Sequence, residues 1–287
     1  MNPQNFEPAI LLRNNTPLDD FCGLTPNEVH HLLYNPHGQD SPLHFCPDLE
    51  HSTLDRIPFF RLTEEFLRIV RRDKAITLTG LGALPRKYLH ELYAHRFIPE
   101  RHIDRNIIRL NRENDSVPLT SMHICTEQSG LMKKTKGKLR LTKEGERMLA
   151  EENRRELFQR VLMTFTLSFA WSNNDAWTER PLAQFGWGFS VYLLFRFGNQ
   201  PRPVQFYADK YLQAFPTLIE WIPPNEYSTP QNDFFHCYCV RTFSRFLEWF
   251  GCVTITPSEG VTPTQAANVA RTELLEKVLS LEARIPS

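Results

Sequence analysis

Histidine and cysteine are the residue types with the widest chemical reach, and here they fall in two groups. Cys22, His30, His31, His37, His44, Cys46 and His51 lie near the N-terminus, and His236, Cys237 and Cys239 lie together farther on. Zinc sites usually pair their ligands as Cys-x-x-Cys, which sets two thiolates on one tight turn. Neither group has that pair. His44 and Cys46 would share one face of a strand, but Cys237 and Cys239 on a helix point about 200° apart. His90 and His95, five apart on a helix, also fall on different faces. The expectation is surface histidines and buried thiols, with no metal and no cofactor. Six cysteines in 287 residues do not form a disulfide framework, so reduced thiols of a cytoplasmic protein are expected.

Other catalytic patterns are weaker still. Gly80-Leu81-Gly82-Ala83-Leu84-Pro85 follows a strand pattern and opens a helix, as a dinucleotide fingerprint does. Pro85 stands where the third glycine would allow close helix–strand packing, so a turn leading into a helix is the better reading. No Gly-x-Ser-x-Gly elbow, phosphate-binding loop or His-Glu-x-x-His pair occurs. The carboxylate pairs Asp19-Asp20, Glu64-Glu65 and Glu151-Glu152 read as solvated, with Glu64-Glu65 suited to a helix start. The sequence thus names no catalytic residues.

One charged constellation stands out. Lys133, Lys134, Lys136, Lys138, Arg140 and Lys143 fall close together with no acidic residue among them. A hairpin carrying them suits a phosphate backbone, where each neutralised phosphate adds salt-dependent affinity. Alternatively, the lysines only solvate the hairpin and discourage edge pairing. The preceding helix, expected from Pro118 to Ser129, offers Thr120, Ser121, His123, Thr126 and Gln128 but no Arg or Lys for a major groove.

The elements that would position this hairpin can be read from spacing. Thr25 caps a helix with Pro26 at its first position and Val29, Leu32 and Leu33 on its apolar face. A second helix is expected from Thr63 to Arg72, acidic at its start and basic at its end. Ile76 to Thr79 reads as a strand, and Pro85 opens a helix bearing Leu89, Leu92 and Tyr93. Gly130 ends the helix from Pro118, Lys136-Gly137 makes a hairpin turn, and Leu139 and Leu141 share a strand face. Thr142 caps another helix whose stripe continues through Leu149, Leu157, Val161 and Phe165. Helix, hairpin, helix is how winged-helix domains end. A looser version follows: a helix from Asp233 through Phe250, a stop at Gly251, a strand over 252–256, a turn at Ser258-Glu259-Gly260 without basic residues, and a helix from Thr264 to Leu281. The aromatic run Phe185, Trp187, Phe189, Tyr192, Phe195 and Phe197 crowds nearly all sides of a helix and reads as a buried element.

Composition sets the frame. Residues 1–150 hold ten aromatics and 151–287 hold twenty-four, with all five Trp. That shift suggests two domains: 1–150, helical and ending in a winged-helix-like unit, and 151–287, aromatic-rich and helical. Lys+Arg and Asp+Glu both total 33, so any polyanion binding must use a local patch. The opening MNPQNFEPAILLRNN lacks a basic segment followed by a long apolar core, and no stretch reaches a membrane-spanning length. The fold class expected is mainly α with small β-hairpins (α+β), containing winged-helix-like units.

Three stretches carry a resemblance. Leu78-Thr79-Gly80-Leu81-Gly82-Ala83-Leu84-Pro85, Gly130-Leu131-Met132-Lys133 and Leu141-Thr142-Lys143-Glu144-Gly145 resemble a bacterial group related to the plasmid open-reading-frame-three-like proteins. Leu24 to His30, preceded by Gly23, resembles that group's opening helix. Met132 departs from the pattern by separating Gly130-Leu131 from the first basic residue. The resemblance covers roughly residues 20–150 and implies a winged-helix-containing region, but it brings no activity and no catalytic residues. The resulting expectation is a non-enzymatic protein-interaction or scaffold protein, with an unknown protein partner or self-association and no membrane. Its alternatives are a DNA-binding transcriptional regulator using the basic wing 133–143, and an enzyme whose site assembles from distant residues.

Overall fold

A computed structural model describes residues 6–175, 177–178, 180–257 and 267–282. Among the described residues helices dominate, with three small antiparallel sheets. The chain clusters into two compact units, each discontinuous in sequence: 1–47 with 175–248 and 252–287, and 48–174 with 249–251. Residues 151–174 therefore group with the stretch before them, and 1–47 with the C-terminal half.

The chain opens with α1 (Phe6–Asn14) and α2 (Pro26–Tyr34). Thr25 and Glu28 form a full capping box at the start of α2, and Val29 and Leu32 are buried on its inner face. Strand β1 (Leu43–Phe45) pairs with β8 (Leu279–Leu281), which belongs to the same unit.

The second unit follows with α3 (His51–Leu54), α4 (Pro58–Asp73), β2 (Ile76–Thr77), α5 (Arg86–Ala94), α6 (Arg101–Asp104) and α7 (Val117–Gln128). Strands β3 (Met132–Thr135) and β4 (Lys138–Leu141), then α8 (Lys143–Met148) and α9 (Arg154–Met163), complete it. Helix α4 starts five residues before the Thr63 expected, because Pro58 supplies a pre-set φ at the first helical position. Glu64 and Glu65 consequently lie inside the helix. The expected stripe from Thr142 through Phe165 is not one helix: α8 ends at Met148, a 3-10 turn covers Glu151–Asn153, and α9 runs into a π-helical turn at Thr164–Ser168.

The sheet order β2-β4-β3 puts the middle strand last in sequence, and the unit runs helix, strand, three α-helices, hairpin. Lys136 and Gly137 both have positive φ, 51° and 70°, which matches the tight turn a twisted two-residue hairpin needs. Gly145 has a separate purpose. A Cβ there would collide with the Leu131 carbonyl oxygen, so only glycine lets α8 lie against the start of the wing. Gly145→Ala is expected to cost about 1–3 kcal/mol through overpacking, seen as a lower urea midpoint with unchanged m.

The first unit resumes with α10 (Trp187–Phe197), β5 (Arg202–Pro203), α11 (Val204–Ala214), α12 (Pro230–Tyr238), β6 (Val253–Pro257), β7 (Ala267–Arg271), α13 (Glu273–Val278) and β8. Eight residues of α10 are buried, from Trp187 through Leu194, as its aromatic crowding implied. The sheet order β5-β7-β6 repeats the earlier strand arrangement, here with two α-helices between the first strand and the hairpin. Thr142 N–H donates to Leu131 O at 3.0 Å, and Thr272 N–H donates to Cys252 O at 2.9 Å, at matching places in the two units.

Two expectations fail in this unit. Asp233 is not the cap; Thr229 is, and the helix widens after Tyr238 into a π-helical stretch, Cys239–Leu247. The helix expected from Thr264 to Leu281 is a strand, a short helix and a strand. Ala267 and Val269 are buried on alternate positions where β7 pairs with β6, and Thr272 caps α13. The turn at 258–260 and residues 264–266 lie outside the described residues.

Candidate nucleic-acid interface

The hairpin β3–β4 brings most of the expected cations onto a single surface. Lys133 sits opposite Arg140 and Thr135 opposite Lys138, while β2 adds Thr77 beside Lys138. Directly paired residues project from the same side of a sheet. Lys133, Lys138 and Arg140 therefore share the outer face with the Thr77 and Thr135 hydroxyls. The other face holds Met132 and Leu139, buried, with Ile76 next to Leu139. Lys134 emerges from that second face and packs against Gly82, Lys136 occupies the turn, and Lys143 starts α8. All six cations are exposed, and among the described residues none has a carboxylate within ion-pair distance. Elsewhere Arg72, Arg96, Arg147, Arg154, Arg241 and Arg271 are each paired with Asp or Glu.

Helix α7 lies before this hairpin, where a groove-reading helix would stand, yet it is sealed. Ser121, His123 and Thr126 are buried and Thr120 is half-buried. Their hydroxyls are used internally. Ser121 Oγ donates to Val117 O at 2.8 Å, Thr126 Oγ donates to Met122 O at 2.5 Å, and Thr120 Oγ donates to Glu113 O at 2.9 Å. His123 Nδ1 lies 2.7 Å from Glu113 Oε1, both side chains buried. Glu113 Oε2 accepts from the Leu84 N–H at 2.6 Å, so one carboxylate ties α7 to the turn before α5. Of the polar residues read as candidates on this helix, only Gln128 is exposed.

Sequence reading missed two further carboxylate clamps. Glu64 is buried rather than solvated, and Arg154 grips it through Nε at 2.7 Å and Nη2 at 3.2 Å while also reaching Asp55 at 2.9 Å. The hydrogen bond from Arg154 holds the Asp55 carboxyl below its usual range. These groups border a cleft of about 330 Å³ that Arg61, Arg68 and Arg71 also line. In the other unit, Arg241 on the π-helical stretch is fully buried and bidentate to Asp175, at 2.6 and 2.8 Å. Its remaining donors reach the carbonyls of Thr178, Arg180 and Leu182. Only long sequence separations connect these partners, so no local signal marks them.

Among the described residues, no group of three or more His, Cys, Asp or Glu could hold a metal ion. Cys237 and Cys252 are buried thiols pushed up to about 12 by desolvation, and Cys239 to about 11. His37 stacks on Phe45 at 4.9 Å and lies 5.3 Å from Trp187, and burial pushes its pKa down to about 4. The folded state thus favours the neutral ring, whereas the unfolded chain protonates near the ordinary value of about 6.5. The associated stability is fully present above about pH 6.5 and is lost as pH falls toward about 4. Replacing His37 by Gln is expected to flatten the decline in urea midpoint across that window.

A family model described as the Y4jL N-terminal domain matches residues 55–155, about a third of the chain. The matched stretch runs from the end of α3 to the start of α9 and contains the whole β2-β4-β3 sheet with its basic hairpin. No curated protein and no solved structure matches the chain. Among the described residues, no helix is long and apolar enough to cross a membrane.

Proposed function

We propose that the protein is a non-enzymatic, cytoplasmic binding protein built from two winged-helix-like units, and that its basic wing engages a nucleic-acid phosphate backbone. In each unit a helix and a strand followed by further helices and a hairpin, with the last strand in the middle of the sheet, support the winged-helix reading. Leu78–Pro85, Gly130–Lys133 and Leu141–Gly145, which carry the resemblance to the bacterial group related to plasmid open-reading-frame-three-like proteins, all lie within residues 55–155.

The observation that carries the proposal is the set of six exposed, unpaired cations, Lys133, Lys134, Lys136, Lys138, Arg140 and Lys143, in a protein of zero net charge. Phosphate contacts of this kind fix position without reading bases. With α7 buried, binding should tolerate any sequence. Fluorescence anisotropy of a labelled random-sequence duplex at low salt tests this. Micromolar or tighter binding that Lys133→Ala, Lys138→Ala and Arg140→Ala together abolish supports the reading, and no binding at low salt retires it.

A second reading, a scaffold that docks a protein partner or a second copy, draws on α1, where Ile10, Leu11 and Leu12 are all exposed. Consecutive exposed apolar residues on a helix suit a covering partner. Sedimentation of the full chain distinguishes self-association from a monomer awaiting another protein.

A further inference from the structure

A phosphate-binding sheet face leaves the turn after β2 without a purpose. Leu81, at its apex, is 99% exposed. The turn beneath it is closed by three hydrogen bonds. Thr79 N–H donates to Ala83 O at 2.9 Å, Gly82 N–H to Thr79 O at 2.8 Å, and Ala83 N–H to Thr79 Oγ at 3.1 Å. Gly82 adopts the positive φ of 81° that this closure requires. Both ends are anchored: Leu78 N–H donates to Gly137 O in the wing turn at 2.9 Å, and Leu84 N–H to the buried Glu113. Leu81 is thus held outward by a fixed frame, at the end of the sheet where Lys134 packs on Gly82 and Lys136 occupies the turn.

A solitary exposed leucine is ordinary. One presented on a braced turn, fastened to the tip of an unneutralised basic hairpin, has a definite use in polyanion binding. Proteins that grip duplex backbones often push a single apolar side chain between base pairs and so kink the helix. We propose that Leu81 is such a wedge, entering a base step of duplex DNA while Lys134, Lys136 and Lys138 at the hairpin tip hold phosphates beside it. The inference rests on the phosphate-binding reading above. A lipid interface also accepts cations beside an apolar group, but it favours an extended apolar helix face, whereas a base step takes one side chain.

The test uses the full chain with duplexes carrying 2-aminopurine at successive steps, whose emission rises on unstacking. Anisotropy is read on the same samples across a salt series. The wild type is expected to raise the emission several-fold. Leu81→Ser is expected to bind severalfold more weakly with the same salt slope and no rise in emission. An equal rise with Leu81→Ser overturns the wedge, and wild-type binding without any rise overturns it while leaving the phosphate reading intact. Failure of any duplex to bind at low salt overturns both. Binding to phosphatidylserine vesicles that needs Leu81, with no change in 2-aminopurine emission, overturns the wedge in favour of a lipid surface.

Discussion

Replacing Arg241 by leucine is expected to destabilise the protein by roughly 3–5 kcal/mol, the usual consequence of breaking a buried ion pair from one side. The arginine side chain is fully buried and the Asp175 side chain is 4% exposed. Removing the guanidinium would strand a carboxylate away from water and leave the carbonyls of Thr178, Arg180 and Leu182 without their donor. Lysine keeps the charge but not the planar fork, so Arg241→Lys should fall between leucine and wild type. Changing Asp175 to Leu in the Arg241→Leu background should recover part of the loss, because the stranded charge goes with it. Urea denaturation of the four proteins checks this. A loss below about 1 kcal/mol for Arg241→Leu would mean that solvent reaches the pair.

The second large effect concerns the wing. Each phosphate contact contributes about 0.9 to the slope of log affinity against log salt. Replacing Lys133, Lys138 and Arg140 together by alanine is expected to flatten that slope by about 2–3 and weaken duplex binding roughly tenfold to a hundredfold at moderate salt. All three side chains are solvent-exposed and unpaired, so the fold should be unaffected. Reversing exposed charges elsewhere, such as Glu151 and Glu152, should change affinity far less because the Debye length is about 8–10 Å near physiological salt.

The parts of this molecule that were legible in the sequence are those set by neighbours in the chain. The Thr25 cap, the Lys136-Gly137 turn, the paired strands around it and the Thr142 cap all involve residues a few positions apart. Gly145 stood out as a motif position, but its reason needed three dimensions, since Leu131 approaches it from across the wing. The candidate site was half legible. Six basic residues in a short stretch can be seen at once, whereas their freedom from carboxylates depends on where every acidic side chain ends up.

Helix α7 shows why the remainder was hidden. Its serines, threonines and histidine look like groups meant for solvent or for bases. Ser121, His123 and Thr126 can be buried, and Thr120 half-buried, because their hydroxyls bond to carbonyls of their own helix or of Glu113, and because the Glu113 carboxylate pairs with His123. Polar satisfaction within a core leaves no hydropathy signal. Glu64 with Arg154 and Asp175 with Arg241 are separated by 90 and 66 positions, and Glu64 reads as solvated in the sequence. The region after Gly251 misled for the opposite reason. Val269, Leu274, Leu275 and Leu279 fit a helical stripe loosely, but the two-residue alternation of Ala267 and Val269 against β6 decides the structure.

The central claim is that a free basic sheet face binds phosphate without reading sequence. The most direct measurement is the salt dependence of binding to two duplexes of equal length and unrelated sequence. Equal affinities, one steep common slope, and loss of about 2–3 of that slope in the Lys133, Lys138 and Arg140 alanine variant are expected. A slope near zero, or a preference for one duplex that survives the triple substitution, would contradict it.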